Sequence, residues 1–165
     1  MLFHTVQFAI FFIIVYVSYT LLPHKWQNRM LLVASYIFYG FWEWRYLSLI
    51  LISTVVDYLC AILLDKEKNS NKKKLYVYIS LFTNIGLLCA FKYYDFFASN
   101  FQELMEVFHL KIHPYYLNVA LPIGISFYTF QTISYTLDVS RGKIKACRNF
   151  FDFALYVSFF PQLVA

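Results

Sequence analysis

Apolar runs of helix-crossing length alternate along this chain with short, basic, polar loops. A spanning helix needs about 20 largely apolar residues. Residues 6–22, 46–64, 75–91 and 119–137 meet that length wholly or nearly, and 30–42 reaches it with its flanking polar residues. A sixth apolar run opens at Phe150 and is cut off at Ala165. The pattern predicts an all-α, polytopic transmembrane protein, with about five spanning helices and a truncated sixth. Residues 92–118 read differently. Phe96, Phe97, Phe101, Leu104, Met105 and Phe108 recur at helical spacing, with Gln102, Glu103 and Glu106 elsewhere on the wheel. That predicts an amphipathic helix lying in the outer interface and ended by Pro114.

Charge placement sets the predicted orientation. Lys25 and Arg29, then Lys66, Lys68, Lys72, Lys73 and Lys74, then Arg141, Lys143, Lys145 and Arg148 fall in alternate loops. Only Arg45, Lys92 and Lys111 fall on the other side. Lys and Arg accumulate in cytoplasmic loops, so the bias predicts an N-terminus outside and the basic loops in the cytoplasm. It also requires 30–42 to cross, because otherwise the 66–74 loop would lie opposite Lys25 and Arg29. The 66–74 loop, KEKNSNKKK, reads as a flexible turn and topology signal, with lipid head groups as its other candidate ligand. No Lys or Arg precedes the first run, and Pro23-His24-Lys25 follows it instead of a small-residue cleavage site. Residues 6–22 therefore read as a retained anchor.

Composition agrees. The 165 residues are 61% hydrophobic and 14% charged, whereas soluble domains are about 45–50% apolar and about 25% charged. The aromatic share of 22% suits membrane interfaces, where a ring is buried and its polar tip is wet. The net charge of +5 does not indicate nucleic acid, because the cations are spread over short loops and form no basic, aromatic-interleaved surface. Cys60, Cys89 and Cys147 have no CxxC or metal spacing, so no disulfide framework is expected.

Candidate chemistry concentrates in 121–142, LPIGISFYTFQTISYTLDVSRG. On a helix, Gly124, Tyr128, Gln131, Tyr135 and Asp138 recur at intervals of four, three, four and three and form one polar stripe. Desolvating an amide and two phenols against lipid costs energy, so the stripe must face protein, water or a substrate. Helix–helix contact and a substrate-lining face both satisfy it. Pro122 and Gly124 predict a broken or kinked entry. Asp138 and Arg141 are spaced to pair at the cytoplasmic mouth. Asp57, inside 46–64, is an intramembrane carboxylate: a polar site, or a structural hydrogen bond to Ser53, Thr54 or a neighbouring helix, or a side chain snorkelled near the cytoplasmic end. His109 and His113 are four apart, but no HExxH glutamate accompanies them and Pro114 follows. They read as interface histidines, and His4 and His24 as solvated ends of the first segment. No metal cluster, phosphate loop or Ser-His-Asp set can be assembled from these residues.

Several motifs together carry a family resemblance. They are Asn28-Arg29; Phe38-Tyr39-Gly40 with Trp42 and Arg45; Asp57-Tyr58; the run Phe91 to Phe97 (FKYYDFF); the run Leu121 to Gln131 (LPIGISFYTFQ); Asp138 with Arg141-Gly142; and Phe159-Phe160-Pro161-Gln162-Leu163. The chain resembles the amino-terminal part of membrane-bound O-acyltransferases. It is most similar to the bacterial branch of alginate O-acetylation, peptidoglycan O-acetylation and teichoic-acid D-alanylation. The 121–131 run is the most specific of these matches. The resemblance implies a multi-pass protein of the bacterial cytoplasmic membrane. Such a protein moves an acyl group, expected to be acetyl, from a cytoplasmic donor such as acetyl-CoA or an acyl carrier to an extracytoplasmic polysaccharide such as alginate or peptidoglycan. It implies no bound cofactor, and a secreted or periplasmic acetyl-transfer partner besides membrane lipid. Tyr128, Gln131, Tyr135 and Asp138 become candidates to line a substrate tunnel. The family's catalytic histidine lies downstream of Pro161-Gln162, so none of the four histidines here matches it. Residues 1–165 are accordingly expected to be a truncated amino-terminal portion, inactive alone. Two further readings stay open: a transporter or flippase-like module with Asp57 on a polar path, and a membrane scaffold that docks an extracytoplasmic partner through 92–118.

Overall fold

The computed structural model describes residues 5–108 and 124–163, the side chains of Trp42 and Glu43 excepted. Every regular element among them is helical: α1 (Val6–Leu21), α2 (His24–Lys66), α3 (Ser70–Leu88), a π-helical turn (Cys89–Tyr93), α4 (Tyr94–Val107), α5 (Ile125–Ser140), α6 (Phe150–Ser158) and α7 (Phe160–Leu163). Local chemistry sets the starts. Thr5 accepts from the Phe8 N–H at 3.3 Å, Asn69 from Asn71 at 2.9 Å and Asn149 from Phe151 at 3.1 Å, each satisfying a helix-start donor that has no intrahelical partner. Pro23 holds extended backbone and separates α1 from α2.

Helix α2 has 43 residues, yet it is not a rod. The Asn28 amide donates to Asp152 at 2.9 Å, and the Tyr58 hydroxyl donates to the Arg148 carbonyl at 2.7 Å. On a straight helix Asn28 and Tyr58 would lie about 45 Å apart, but Arg148 and Asp152 are at most about 14 Å apart. The helix therefore doubles back. The turn lies at Gly40 and Leu47, where a Cβ on Gly40 would meet Leu47 Cδ1 at 3.2 Å, although two straight turns would separate these residues by about 10 Å. The sequence leads one to expect crossings at 30–42 and 46–64 with a break between. Two antiparallel arms are present, but the backbone stays helical through the reversal, because nothing between Gly40 and Tyr46 is a strong helix breaker.

The other helices pack on these arms in antiparallel fashion. Phe8 and Phe11 of α1 meet Phe38 of the first arm and Phe160 of α7. On the second arm, Asp57 faces Ser80 of α3 while Ser53 faces Asn84. Helix α5 then returns along α3, with Thr132 near Asn84 and Thr136 near Ser80. Helix α6 runs back beside α5, with Tyr135 and Phe153 ring centroids 4.8 Å apart. This path gathers the start of α2, the 66–74 turn and the 141–148 segment at one end of the bundle. Arg45 and Lys92 go to the other.

Polarity is inside out. Ser53, Thr54, Asp57, Ser80, Asn84, Thr132 and Thr136 are fully buried, while Phe82 is 83% exposed and Ile13, Ile37, Ile52 and Phe96 also face outward. Water would favour the reverse. Two described stretches, Trp44–Lys66 and Ser70–Val107, are long and apolar enough to cross a membrane. The chain is built as a membrane protein.

One end differs from expectation and another agrees with it. The apolar run from Phe150 is not one helix. Nine residues form α6, rising only about 14 Å, and the helix is interrupted at Phe159 ahead of Pro161, whose missing N–H and ring would break a helix continued from α6 but fit the first turn of α7. The amphipathic stretch does form α4, reached through the π-helical turn. Its Phe96, Phe97, Phe101 and Leu104 point outward, while Asp95, Ser99 and Gln102 are half-buried. Pro114 and Pro122 lie outside the described residues.

Gly124 opens α5 in the left-handed region, φ 77°, and a Cβ there would meet the Leu163 carbonyl oxygen at 2.7 Å. Gly86 in α3 has open space around it. Gly124→Ala should therefore lower stability by about 1–3 kcal/mol, whereas Gly86→Ala should raise it by roughly 0.5–1 kcal/mol. Thermal unfolding of the two variants in detergent reads the opposite signs.

Candidate functional site on helix α5

Helix α5 presents three polar surfaces, and the sequence stripe accounts for one. Tyr128 is buried in the core with Tyr39, Tyr46, Leu49 and Phe153, and its hydroxyl has no hydrogen-bond partner among the described residues. Gln131 donates through Nε2 to the Tyr156 carbonyl of α6 at 2.9 Å, and its Oε1 is buried and unpartnered. The Tyr135 hydroxyl accepts from the Cys147 N–H at 2.7 Å and ties the 141–148 segment to the helix. Asp138 pairs with Lys143 at 3.4 Å and not with the expected Arg141. The reason is the helix end. Gly142 turns left-handed at φ 71°, its N–H donates to Val139 and that of Lys143 to Asp138, forming a Schellman stop that brings Lys143 back over the last turn.

The second surface, Thr132 and Thr136, faces α3 and was not read from the sequence. It joins the network around Asp57. The Asp57 carboxylate accepts from Ser80 Oγ at 2.5 Å and from Asn84 Nδ2 at 2.8 Å to each oxygen. Asn84 Oδ1 in turn accepts from Ser53 at 2.6 Å and Thr132 at 3.2 Å. The sequence alternatives for Asp57 resolve as Ser53 plus a neighbouring helix, because Thr54 donates to the Ile50 carbonyl. A signal was available: Ser53 with Asp57, Ser80 with Asn84, and Thr132 with Thr136 are all four apart and so each share a helix face. Which faces would meet could not be read from one chain.

The third surface is a groove of about 540 Å³ along the outside of α5, lined by Ser126, Phe127, Phe130, Gln131 and Ser134. Of the sequence candidates only Gln131 reaches it. Tyr128 lies in the core, Tyr135 in the α5–α6 contact and Asp138 at the basic end. Lys92 at the π-helical turn donates to Ser126 at 3.0 Å, which puts a cation at the end of the groove nearest the start of α5. Such a surface can hold and orient an elongated amphiphilic group through hydroxyls, one amide and two rings. No cluster of metal-ligating side chains occurs among the described residues. His24 contacts Gln27 at 3.0 Å on exposed surface, while His4, His109 and His113 fall outside the described residues.

These are the surfaces that the relatives of this chain illuminate. It is 36% identical over its whole length to the probable alginate O-acetylase AlgI of Pseudomonas putida, and 34% identical over its whole length to that of Pseudomonas aeruginosa. It is also 34% identical, over 91% of its length, to the peptidoglycan O-acetyltransferase of Helicobacter pylori. The chain is thus similar from end to end to part of proteins named alginate O-acetylase. This bears out the resemblance carried by the motifs. The chain spans about one third of the length of these relatives, 34%, 32% and 31% respectively. No family model and no solved structure matches it.

The Asp57 network generates a prediction of its own. Asp57→Ala removes the main acceptor of the Asn84 amide and the Ser80 hydroxyl in a dry interior, leaving them the Ser80 carbonyl and Thr136, and should cost about 1–3 kcal/mol. Asn84→Ala should cost a similar amount. Because the two share partners, a double-mutant cycle in detergent should give a coupling of at least about 0.5 kcal/mol. Additive losses would show that the two groups act separately.

Proposed function

We propose that this chain forms part of a membrane O-acyltransferase that transfers acetyl groups from a cytoplasmic donor to an extracytoplasmic polysaccharide. The carrying observation is its end-to-end similarity to about a third of proteins named alginate O-acetylase and peptidoglycan O-acetyltransferase. The α5 groove is the feature of this chain best suited to such a role. We propose Gln131 as a wall residue of the acyl-transfer path, its side chain lining the groove while its Nε2 is anchored to the Tyr156 carbonyl. Ser126, Phe127, Phe130 and Ser134 line the same wall. Tyr128, Tyr135 and Asp138 support it from behind by holding α5 against α6 and the basic end.

The arrangement in the membrane follows from charge. With the basic end in the cytoplasm and the N-terminus outside, α1, both arms of α2, α3 and α5 make five crossings of the bacterial cytoplasmic membrane. The gathering of three basic segments at one end of the bundle supports this layout. An anionic donor such as acetyl-CoA or an acyl carrier approaches that end, and the polymer and a secreted acetyl-transfer partner meet the other. The general-base histidine that the resemblance implies belongs to the part of such enzymes beyond this match. Asp57 is fully buried and hydrogen-bonded on both oxygens, so a solute path through it has no support, and the scaffold role of α4 is not needed to explain the groove.

The test is Gln131→Leu in the acyltransferase that contains this segment, with polymer O-acetyl content and membrane abundance both measured. Loss of one positioning hydrogen bond should lower acetylation on the order of ten-fold at unchanged abundance. Unchanged acetylation removes Gln131 from the path.

A further inference from the structure

The basic end carries a second groove, of about 290 Å³, between the first turns of α3 and the last turn of α5. It is lined by Ser70, Lys73, Lys74, Val77, Tyr78 and Ser140. Two ammonium groups and three hydroxyls therefore share one concave surface. The nearby acids are engaged elsewhere. Glu67 accepts from the backbone N–H groups of Asn69 and Lys68 and pairs with Lys72. The Asn69 N–H foremost, then that of Lys68 and the ammonium groups of Lys72 and Lys73, hold its carboxyl below the usual range. Asp138 is paired with Lys143, and Asp152 is bonded to Asn28 and Asn149. Among the described residues Lys73 and Lys74 make no ion pair, so the groove keeps an excess of positive charge.

What distinguishes this groove from a merely basic surface is the stripe that leaves it. Tyr78 lines the groove and is itself exposed, and Phe82 and Ile85 follow on the same face of α3, both exposed, with Ile79 beside them. The spacing of four and three makes this one continuous apolar track running from the cationic groove toward the middle of the bundle. A soluble anion would use the cations and leave the track idle. An acidic protein would not reach along a lipid-facing helix. An anionic phospholipid matches both parts, with its phosphodiester against Lys73 and Lys74 and its acyl chains along Tyr78 and Phe82. We infer that this groove is a binding site for one anionic phospholipid at the cytoplasmic leaflet.

The experiment uses the purified chain in neutral detergent, with lipid binding followed by native mass spectrometry and thermal stability. Phosphatidylglycerol should bind on the order of ten-fold better than phosphatidylcholine and raise the unfolding temperature above that seen with phosphatidylcholine. Lys73→Ala with Lys74→Ala should abolish both the preference and the rise, and Phe82→Ser should weaken binding of both lipids. Lys68→Ala with Lys145→Ala removes equal charge from the same end and should leave the preference in place. The inference is overturned if wild type shows no preference, or if the two double variants lose it equally, because charge density alone would then explain it. It is also overturned if glycerophosphate stabilises as well as the lipid does, since the occupant would then be a soluble anion. None of the five substituted positions is buried, Lys73 being half-buried and the others exposed, and the unfolding temperature without added lipid confirms that each of the three variants is folded.

Discussion

Asp57 brings a carboxylate into the middle of a bundle whose outside is oil. In lipid, apolar surface gains nothing by leaving its surroundings, so helices associate through packing and polar contacts. The Asp57 carboxylate must find its hydrogen bonds inside the protein, and it finds them on α3, at Ser80 and Asn84. Asn84 then reaches Ser53 on α2 and Thr132 on α5. One side chain thus binds three helices in a single register. Sliding α3 by one residue would swing Ser80 and Asn84 off this face and leave polar groups stranded, which costs more than any apolar contact recovered.

Once the second arm of α2, α3 and α5 are registered, the rest follows. Helix α6 nests between the arms of α2, held at Asn28 by Asp152 and at Tyr58 by the Arg148 carbonyl. Tyr135 fixes the segment that leads into α6 through the Cys147 N–H. Gly124 lets the start of α5 touch α7, where any side chain would collide with the Leu163 carbonyl. The outside of α5 is then left open, and that is where the groove with Gln131 lies. Structural and candidate functional roles are therefore carried by different faces of one 16-residue helix.

Reading 121–142 as a single polar stripe merged these faces. Periodicity places residues on a face, but it does not say which neighbour the face meets. Tyr128, Gln131 and Tyr135 do share a side of α5, yet one enters the core, one bridges a groove and one holds a loop. Thr132 and Thr136 drew no notice because threonine is unremarkable on a membrane helix. They matter only because α3 places Ser80 and Asn84 opposite them. The Asp138–Arg141 spacing suggested a pair, and the left-handed Gly142 gave the contact to Lys143 instead.

The sequence by itself determined what each segment can tolerate around it. Long apolar runs, basic loops and a polar stripe dictate helices, a lipid surrounding and a charge asymmetry, because these depend on the solvation of each residue and not on its neighbours. The motifs from Asn28-Arg29 to Pro161-Gln162 likewise carried the resemblance to O-acetylases. Only the tertiary structure decided that α2 folds back without leaving the helical state, that Asp57 is enclosed by Ser80 and Asn84, and that Gln131 alone of the stripe reaches an open groove. Each of these depends on how separate helices pack, and its energy exists only once the helices have chosen which faces to share.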